Sequence, residues 1–233
     1  MNPKTGLEFG TFPKKYDAGR KHYSNKLLDF LPKQGTVLEV GAGTGKGTDL
    51  LNTLPISLTV SEPNKSMCNM LIDKFPNLPV LAKAFNDVSS RYDYVVGFQC
   101  WHWFGEEKYT TLRKLARHGG YFIWRWYELQ DAKDIEQILV LYSDKAPLEN
   151  WLTRPYNERV SKICDEVTCQ QEFQHNIQTF QFPSVWTIQE YINHAQSRID
   201  HQEFELSFWK ALETSFKNKR IRVIESYCIL NLY

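Results

Sequence analysis

The chain has 233 residues, 42% of them hydrophobic, which suffices for one α/β domain with a large core and leaves little for a second independent domain. A formal net charge of +1 creates no long-range field for polyanions, so neither nucleic acid nor an anionic membrane is favoured as partner and a small molecule is the simpler substrate. Five cysteines, Cys68, Cys100, Cys164, Cys169 and Cys228, are odd in number and form no Cys-x-x-Cys pair, which argues against a disulfide framework or a zinc ribbon and suits a reducing cytoplasm.

In chain order, Met1 to Lys15 is polar and has no apolar h-region, and no later stretch approaches the ~18 apolar residues of a membrane span. An unexported, cytoplasmic protein is expected. Leu27, Leu28, Phe30 and Leu31 predict a helix over 24–31 that stops at Pro32. Short β-rich apolar runs follow at 36–40, 57–62, 80–84, 94–99 and 121–126, separated by helical periodicity at 46–54, 65–75 and 106–116. Asn64 and Ser66 supply capping side chains for the second of these helices, and Pro76 ends it. Strands alternating with helices predict a parallel, doubly wound sheet. After Trp126 the alternation breaks down, and 127–168 reads as a helical insertion. Residues 173–182 suit a half-exposed strand, 187–199 and 203–216 suit helices, and 221–232 suits a last strand.

The run Val37-Leu38-Glu39-Val40-Gly41-Ala42-Gly43-Thr44-Gly45 is an apolar strand breaking into a glycine turn. A dinucleotide fingerprint wants its third glycine where Lys46 stands, and a P-loop wants Gly at Val40 and Ser or Thr at Gly47, so neither motif fits. The pattern resembles the first motif of class I S-adenosylmethionine-dependent methyltransferases, acidic-x-Gly-x-Gly-x-Gly. The resemblance implies a Rossmann-like α/β fold with a seven-stranded sheet and an antiparallel terminal hairpin, which the two late strands match. It also implies S-adenosyl-L-methionine as cofactor, and a substrate cap built from 127–168 and 183–216.

Glycines at the end of the first strand let the backbone approach a ligand, and Gly41, Gly43 and Gly45 supply them with Ala42 between. The ligand carries an ammonium and a sulfonium but no phosphate, so an acid at the strand end makes sense. In the family the motif acid, matched by Glu39, holds the methionine end. Glu62, closing the second strand, matches the carboxylate that accepts both ribose hydroxyls. For the adenine, Ala84-Phe85-Asn86-Asp87 offers Phe85 to cover the ring and Asn86 or Asp87 to accept from the exocyclic amine. Met67 either flanks the adenine or belongs to the core.

Gln99-Cys100-Trp101-His102-Trp103-Phe104 resembles the fourth-strand motif of the branch that includes trans-aconitate methyltransferases. This implies that Gln99 and His102 leave the strand over the cofactor's methyl group. His102 is either the base or orienting group of the reaction or a fixed turn residue. Trp103 is expected to pack, and Trp101 to pack or to wall the acceptor pocket. In the same branch a Tyr and an Arg near the amino terminus belong to a lid over the cofactor, and Tyr16 and Arg20 lie one helical turn apart. The branch's Arg-Pro-x-Tyr-Pro is here Arg20-Lys21-His22-Tyr23-Ser24.

Arg125, Arg154, Arg159 and Arg198 are candidate readers of an anionic acceptor. His194 and His201 lack a third ligand, and no metal is expected. The reading is a methyltransferase acting on a small molecule, monomer or homodimer, by O-methylation of a carboxylic acid, with His102, Gln99 and Tyr16 at the chemistry. The alternative is a catalytically silent fold serving as cofactor sensor or interaction module.

Overall fold

A computed structural model of the chain describes residues 10–130, 135, 156–170, 172–197 and 206–233. The apolar runs become strands β1 (Thr36–Val40), β2 (Ser57–Ser61), β3 (Val80–Leu81), β4 (Tyr94–Phe98) and β5 (Gly120–Leu129), which pair in parallel. Two later strands, β6 (His175–Thr187) and β7 (Arg220–Leu232), complete a seven-stranded sheet of order β3-β2-β1-β4-β5-β7-β6, with β7 antiparallel to β5 and β6 antiparallel to β7. Strand order reverses between β1 and β4, and a ligand is received outside the carboxyl ends of the strands at such a point.

Helices α1 (Pro13–Gly19), α2 (Lys46–Leu51), α3 (Lys65–Lys74), α4 (Lys108–Leu115), α5 (Tyr156–Thr168), α6 (Ile188–Gln196) and α7 (Leu206–Phe216) cover the sheet. On one face Leu38, Val40, Val95, Phe122 and Trp124 pack with Leu112 and Leu115 of α4 and Ile163 and Val167 of α5. On the other, Val37, Val60, Val96, Phe98 and Ile123 meet Leu27, Leu50, Leu51 and Leu71. Beyond the ends of β5 and β7, Trp186, Ile192, Phe208, Leu212 and Val223 form a third apolar cluster that holds α6 and α7. The Asn64 side chain accepts from the Ser66 and Met67 amides and starts α3. Thr187 and Glu190 form a reciprocal capping box at α6.

Three expectations are corrected. The stretch 24–31 forms a 3₁₀ helix over Asn25–Phe30 that starts where the Ser24 side chain accepts from the Lys26 amide and buries only Leu27. Residues 127–129, assigned to the helical insertion, extend β5, whose ladder with β7 runs on to Leu129↔Val223. A long antiparallel partner stabilises strand where the local pattern is ambiguous. Residues 183–187, assigned to the cap, extend β6, and Pro183 is tolerated there because β6 is the edge of the sheet. Of the expected cap, 131–134, 136–155, 198–205 and the candidates Arg154, Arg198 and His201 lie outside the described residues.

Candidate functional site

The glycine turn stands at the carboxyl end of β1, and Gly41, Gly43 and Gly45 all have left-handed backbone, with φ of 62°, 59° and 92°. Their surroundings differ. A Cβ on Gly41 would meet Cys100 Cβ at 2.8 Å, so that glycine serves the contact between the turn and the end of β4. A Cβ on Gly43 would find only Met67 Sδ and Tyr16 Cε1, both at 3.9 Å, so Gly43 lies at a mouth bounded by α3 and α1. The Ala42 amide donates to Ser61 O at 3.2 Å and ties the turn to β2.

Glu39 lies beneath this turn and is 1% exposed. Its Oε2 accepts from Thr48 Oγ1 at 2.6 Å, whereas Oε1 is buried with no hydrogen-bond partner among the described residues. Burial pushes the carboxyl up to about 8, aided by Asp49 and Glu62 and opposed by the Thr48 hydrogen bond. Gly47 makes room for it: a Cβ there would stand 2.4 Å from Glu39 Oε1 and 2.3 Å from the Phe98 ring. The sequence reading missed Gly47, although a glycine inside α2, where it costs helix stability, was a signal.

Glu62 closes β2 and is 5% exposed. Its Oε2 accepts from the Gly43 amide and its Oε1 from the Asn64 amide, each at 2.8 Å. The carboxylate braces the glycine turn as well as standing at its rim, and each oxygen keeps a second lone pair. Burial raises its pKa against those two hydrogen bonds.

The residues offered for the adenine separate. Phe85 is 4% exposed and stacks obliquely on Phe104 with centroids 4.7 Å apart, so it presents little surface to a ligand ring. Asn86 is exposed, but its Oδ1 accepts from Thr111 Oγ1 at 3.1 Å and binds the turn to α4. Asp87 is exposed, and Met67, although 3% exposed, sets its sulfur against the mouth at Gly43.

At the end of β4, Gln99 has φ 56°, alone among described non-glycine residues in having positive φ, and its Nε2 donates to Arg125 O. A side chain that holds left-handed backbone costs about 1 kcal/mol or more and concentrates at functional turns. Trp101 takes the packing alternative, whereas Trp103, expected to pack, is exposed. Trp101 is core, with its indole N–H donating to Glu166 Oε1 at 3.2 Å, while Trp103 is 42% exposed. His102 is open at its surface, yet the surrounding protein strips enough hydration, with Lys108 adding to the effect and Glu166 opposing it, to push its imidazole down to about 4.

Tyr16 on α1 faces Gly43, and the Arg20 guanidinium lies 4.9 Å from its ring centre. Asp17 fastens α1 down by ion pairs to Lys74 at 2.6 Å and Lys46 at 3.5 Å. Arg125, expected to read an anion, is instead spent on structure: it donates to Lys21 O at 2.9 Å and His22 O at 2.8 Å, lies 4.2 Å from the Tyr23 ring centre and pairs with Glu225 at 3.8 Å. Arg159 lies over Trp126. His194 is buried beside Gly19 O, and among the described residues no group of three or more His, Cys, Asp or Glu side chains could hold a metal.

No protein-family model matches the sequence. The chain is 27% identical over 147 residues to an uncharacterised methyltransferase-like protein of Schizosaccharomyces pombe, covering 57% of each. It is 29% identical over 120 residues to an uncharacterised methyltransferase of Mycobacterium tuberculosis, covering 49% of each. The chain spans about half the length of the curated relatives it matches. A solved structure from Anaeromyxobacter dehalogenans, described as a candidate type II methyltransferase, aligns with 91% of this chain and 97% of its own length at a TM-score of 0.57 and 14% identity. Together with the strand order, that likeness establishes the Rossmann-like fold of class I methyltransferases.

Proposed function

We propose that this chain is an S-adenosylmethionine-dependent methyltransferase whose acceptor is a small-molecule carboxylic acid. The observation that carries the cofactor is the buried Oε1 of Glu39, a carboxyl oxygen with no partner among the described residues, next to a turn of three left-handed glycines. Leaving such an atom unsatisfied costs about 1–3 kcal/mol, and a cationic ligand reached directly or through water relieves that cost. Glu62 stands at the rim with lone pairs to spare for two vicinal hydroxyls, and the acids fit a cofactor that bears positive charge and no phosphate. When bound, S-adenosylmethionine supplies a methyl group on a sulfonium leaving group.

The chain's own residues then have to orient the acceptor and exclude water. Gln99 fixes the end of β4 through Arg125 O, and Tyr16 with Arg20 covers the mouth at Gly43. A carboxylate acceptor needs no proton removed, in keeping with a His102 too weakly basic to take one efficiently at neutral pH. The Gln99-to-Phe104 motif supports the branch that includes trans-aconitate methyltransferases. Five free cysteines support a reducing, cytoplasmic setting. The test is transfer of tritium from labelled S-adenosylmethionine to carboxylic acids, scored as alkali-labile, volatile label released from methyl esters. Alkali-stable label would indicate an amine or phenol acceptor. Cofactor binding with no transfer to any acceptor would favour the silent sensor.

A further inference from the structure

β5 runs past the end of its parallel partner: Phe98 of β4 pairs with Ile123, and the strand continues to Leu129. By strand alternation Ile123, Arg125 and Tyr127 share a face, the one on which Phe98 and Tyr23 pack at 4.7 Å between centroids. Arg125 and Tyr127 therefore stand beyond Gln99, above the carboxyl end of the sheet. Tyr127 is gripped edge-on by Trp186 and His194, at 4.6 Å and 5.0 Å, and lies 5.2 Å from the Arg125 guanidinium. Arg20, which also contacts Tyr16 at the mouth, acts electrostatically on the same phenol. Although the ring is partly exposed, its hydroxyl is buried and has no hydrogen-bond partner among the described residues. A phenylalanine would fill this place more cheaply, since a buried hydroxyl without a partner destabilises the fold.

Resting on the methyltransferase reading, we propose that the Tyr127 hydroxyl is an acceptor contact, a neutral donor that holds one carboxylate oxygen of the substrate and leaves the other free to receive the methyl group. Burial raises the phenol's pKa, so it stays protonated and donates. The surrounding charge suits an anion. Arg20 and Arg125 are the nearby cations, Glu225 is the acid paired with Arg125, and the faces of Tyr16, Tyr23 and Tyr127 are already taken by guanidinium groups that would repel an ammonium acceptor.

The test is Tyr127→Phe, assayed with labelled S-adenosylmethionine and a defined mixture of C4–C10 mono-, di- and tricarboxylic acids. The expected result is a cofactor Kd within twofold of wild type, about a tenfold higher half-saturating acid concentration, and a Tm unchanged or raised by about 2 °C because an unsatisfied buried group is gone. A purely structural hydroxyl would lower the Tm and leave the acid dependence alone, and that outcome overturns the assignment. Equal half-saturation in variant and wild type overturns it too, with the functional reading intact. If the wild type esterifies none of the acids, the functional reading fails and this inference falls with it.

Discussion

The two halves of the proposed site are built differently. The cofactor half is a short-range object: Glu39, the glycine turn, Gly47, Thr48 and Glu62 fall within two dozen residues, and the two acids accept from Thr48, Gly43 and Asn64 in or next to that stretch. The acceptor half is assembled from afar. Arg125 bonds carbonyls more than a hundred residues earlier in the chain, Lys21 bridges to Glu190 at 2.9 Å, and Gly19 lets α1 approach α6, where a Cβ would stand 2.2 Å from Asn193 O. Local geometry leaves a motif that can be read, whereas long-range assembly leaves residues whose partners the sequence does not name.

Substitutions sharpen the contrast. Gly47→Val should be the most damaging change in the cofactor half, because its side chain must displace both the Glu39 carboxylate and the Phe98 ring. We expect a loss of ~3 kcal/mol or more and no measurable cofactor binding, checked by thermal melts and calorimetric titration. In the acceptor half, Arg125→Met leaves Glu225 buried without its cation and releases the 21–22 segment. A loss of about 3–5 kcal/mol in chemical denaturation is expected, with cofactor affinity in the folded variant falling less than tenfold. Equal damage to cofactor affinity from both changes would mean that the halves are one unit.

The glycine turn and the acids beside it were legible because strand periodicity, left-handed glycines and strand-end acids are local demands. Gly47 escaped because the pattern accounts for Gly41, Gly43 and Gly45 without it, and its function depends on where the Glu39 side chain folds back. Side chains whose partners lie far off in sequence were not legible. Arg125 looks like any pocket arginine until its carbonyl partners are known. Trp101 and Trp103 have the same local pattern, and Trp101 is the buried one because Phe122 of β5, Tyr109 of α4 and the Glu166 carboxylate of α5 meet it. Residues 127–129 read as insertion because the β7 ladder that makes them strand comes almost a hundred residues later.

Glu62→Ala removes the brace on the Gly43 and Asn64 amides and the rim acceptor together. Its cost of ~1.5–3 kcal/mol corresponds to a roughly 10- to 100-fold weaker cofactor Kd with the fold retained, and an unchanged Kd would take Glu62 out of the site. The smallest effect is expected at His102. His102→Gln should lower turnover only a few-fold and leave the rate flat between about pH 6 and 9, because the imidazole is already neutral throughout that range. A collapse by about 10²-fold, with the wild-type rate rising through an ionisation near neutrality, would make His102 a base and the acceptor an amine or phenol.

Glu39 couples the fold to its ligand. Its folded pKa of about 8 lies above its ordinary value, so the ligand-free native state holds a proton that the unfolded chain gives up, and stability falls as pH rises from about 5 to 8. A cationic ligand favours the ionised carboxylate, so binding must expel that proton. The decisive measurement is calorimetric titration of the wild-type protein with S-adenosylmethionine between about pH 6 and 7.5, below the ionisation of an α-amino group, in two buffers of different ionisation enthalpy. The account predicts saturable binding that tightens as pH rises and releases a proton, with the release abolished in Glu39→Gln. A folded protein that gives no binding heat in either buffer, or that binds with the same affinity and no proton release across the range, would contradict it.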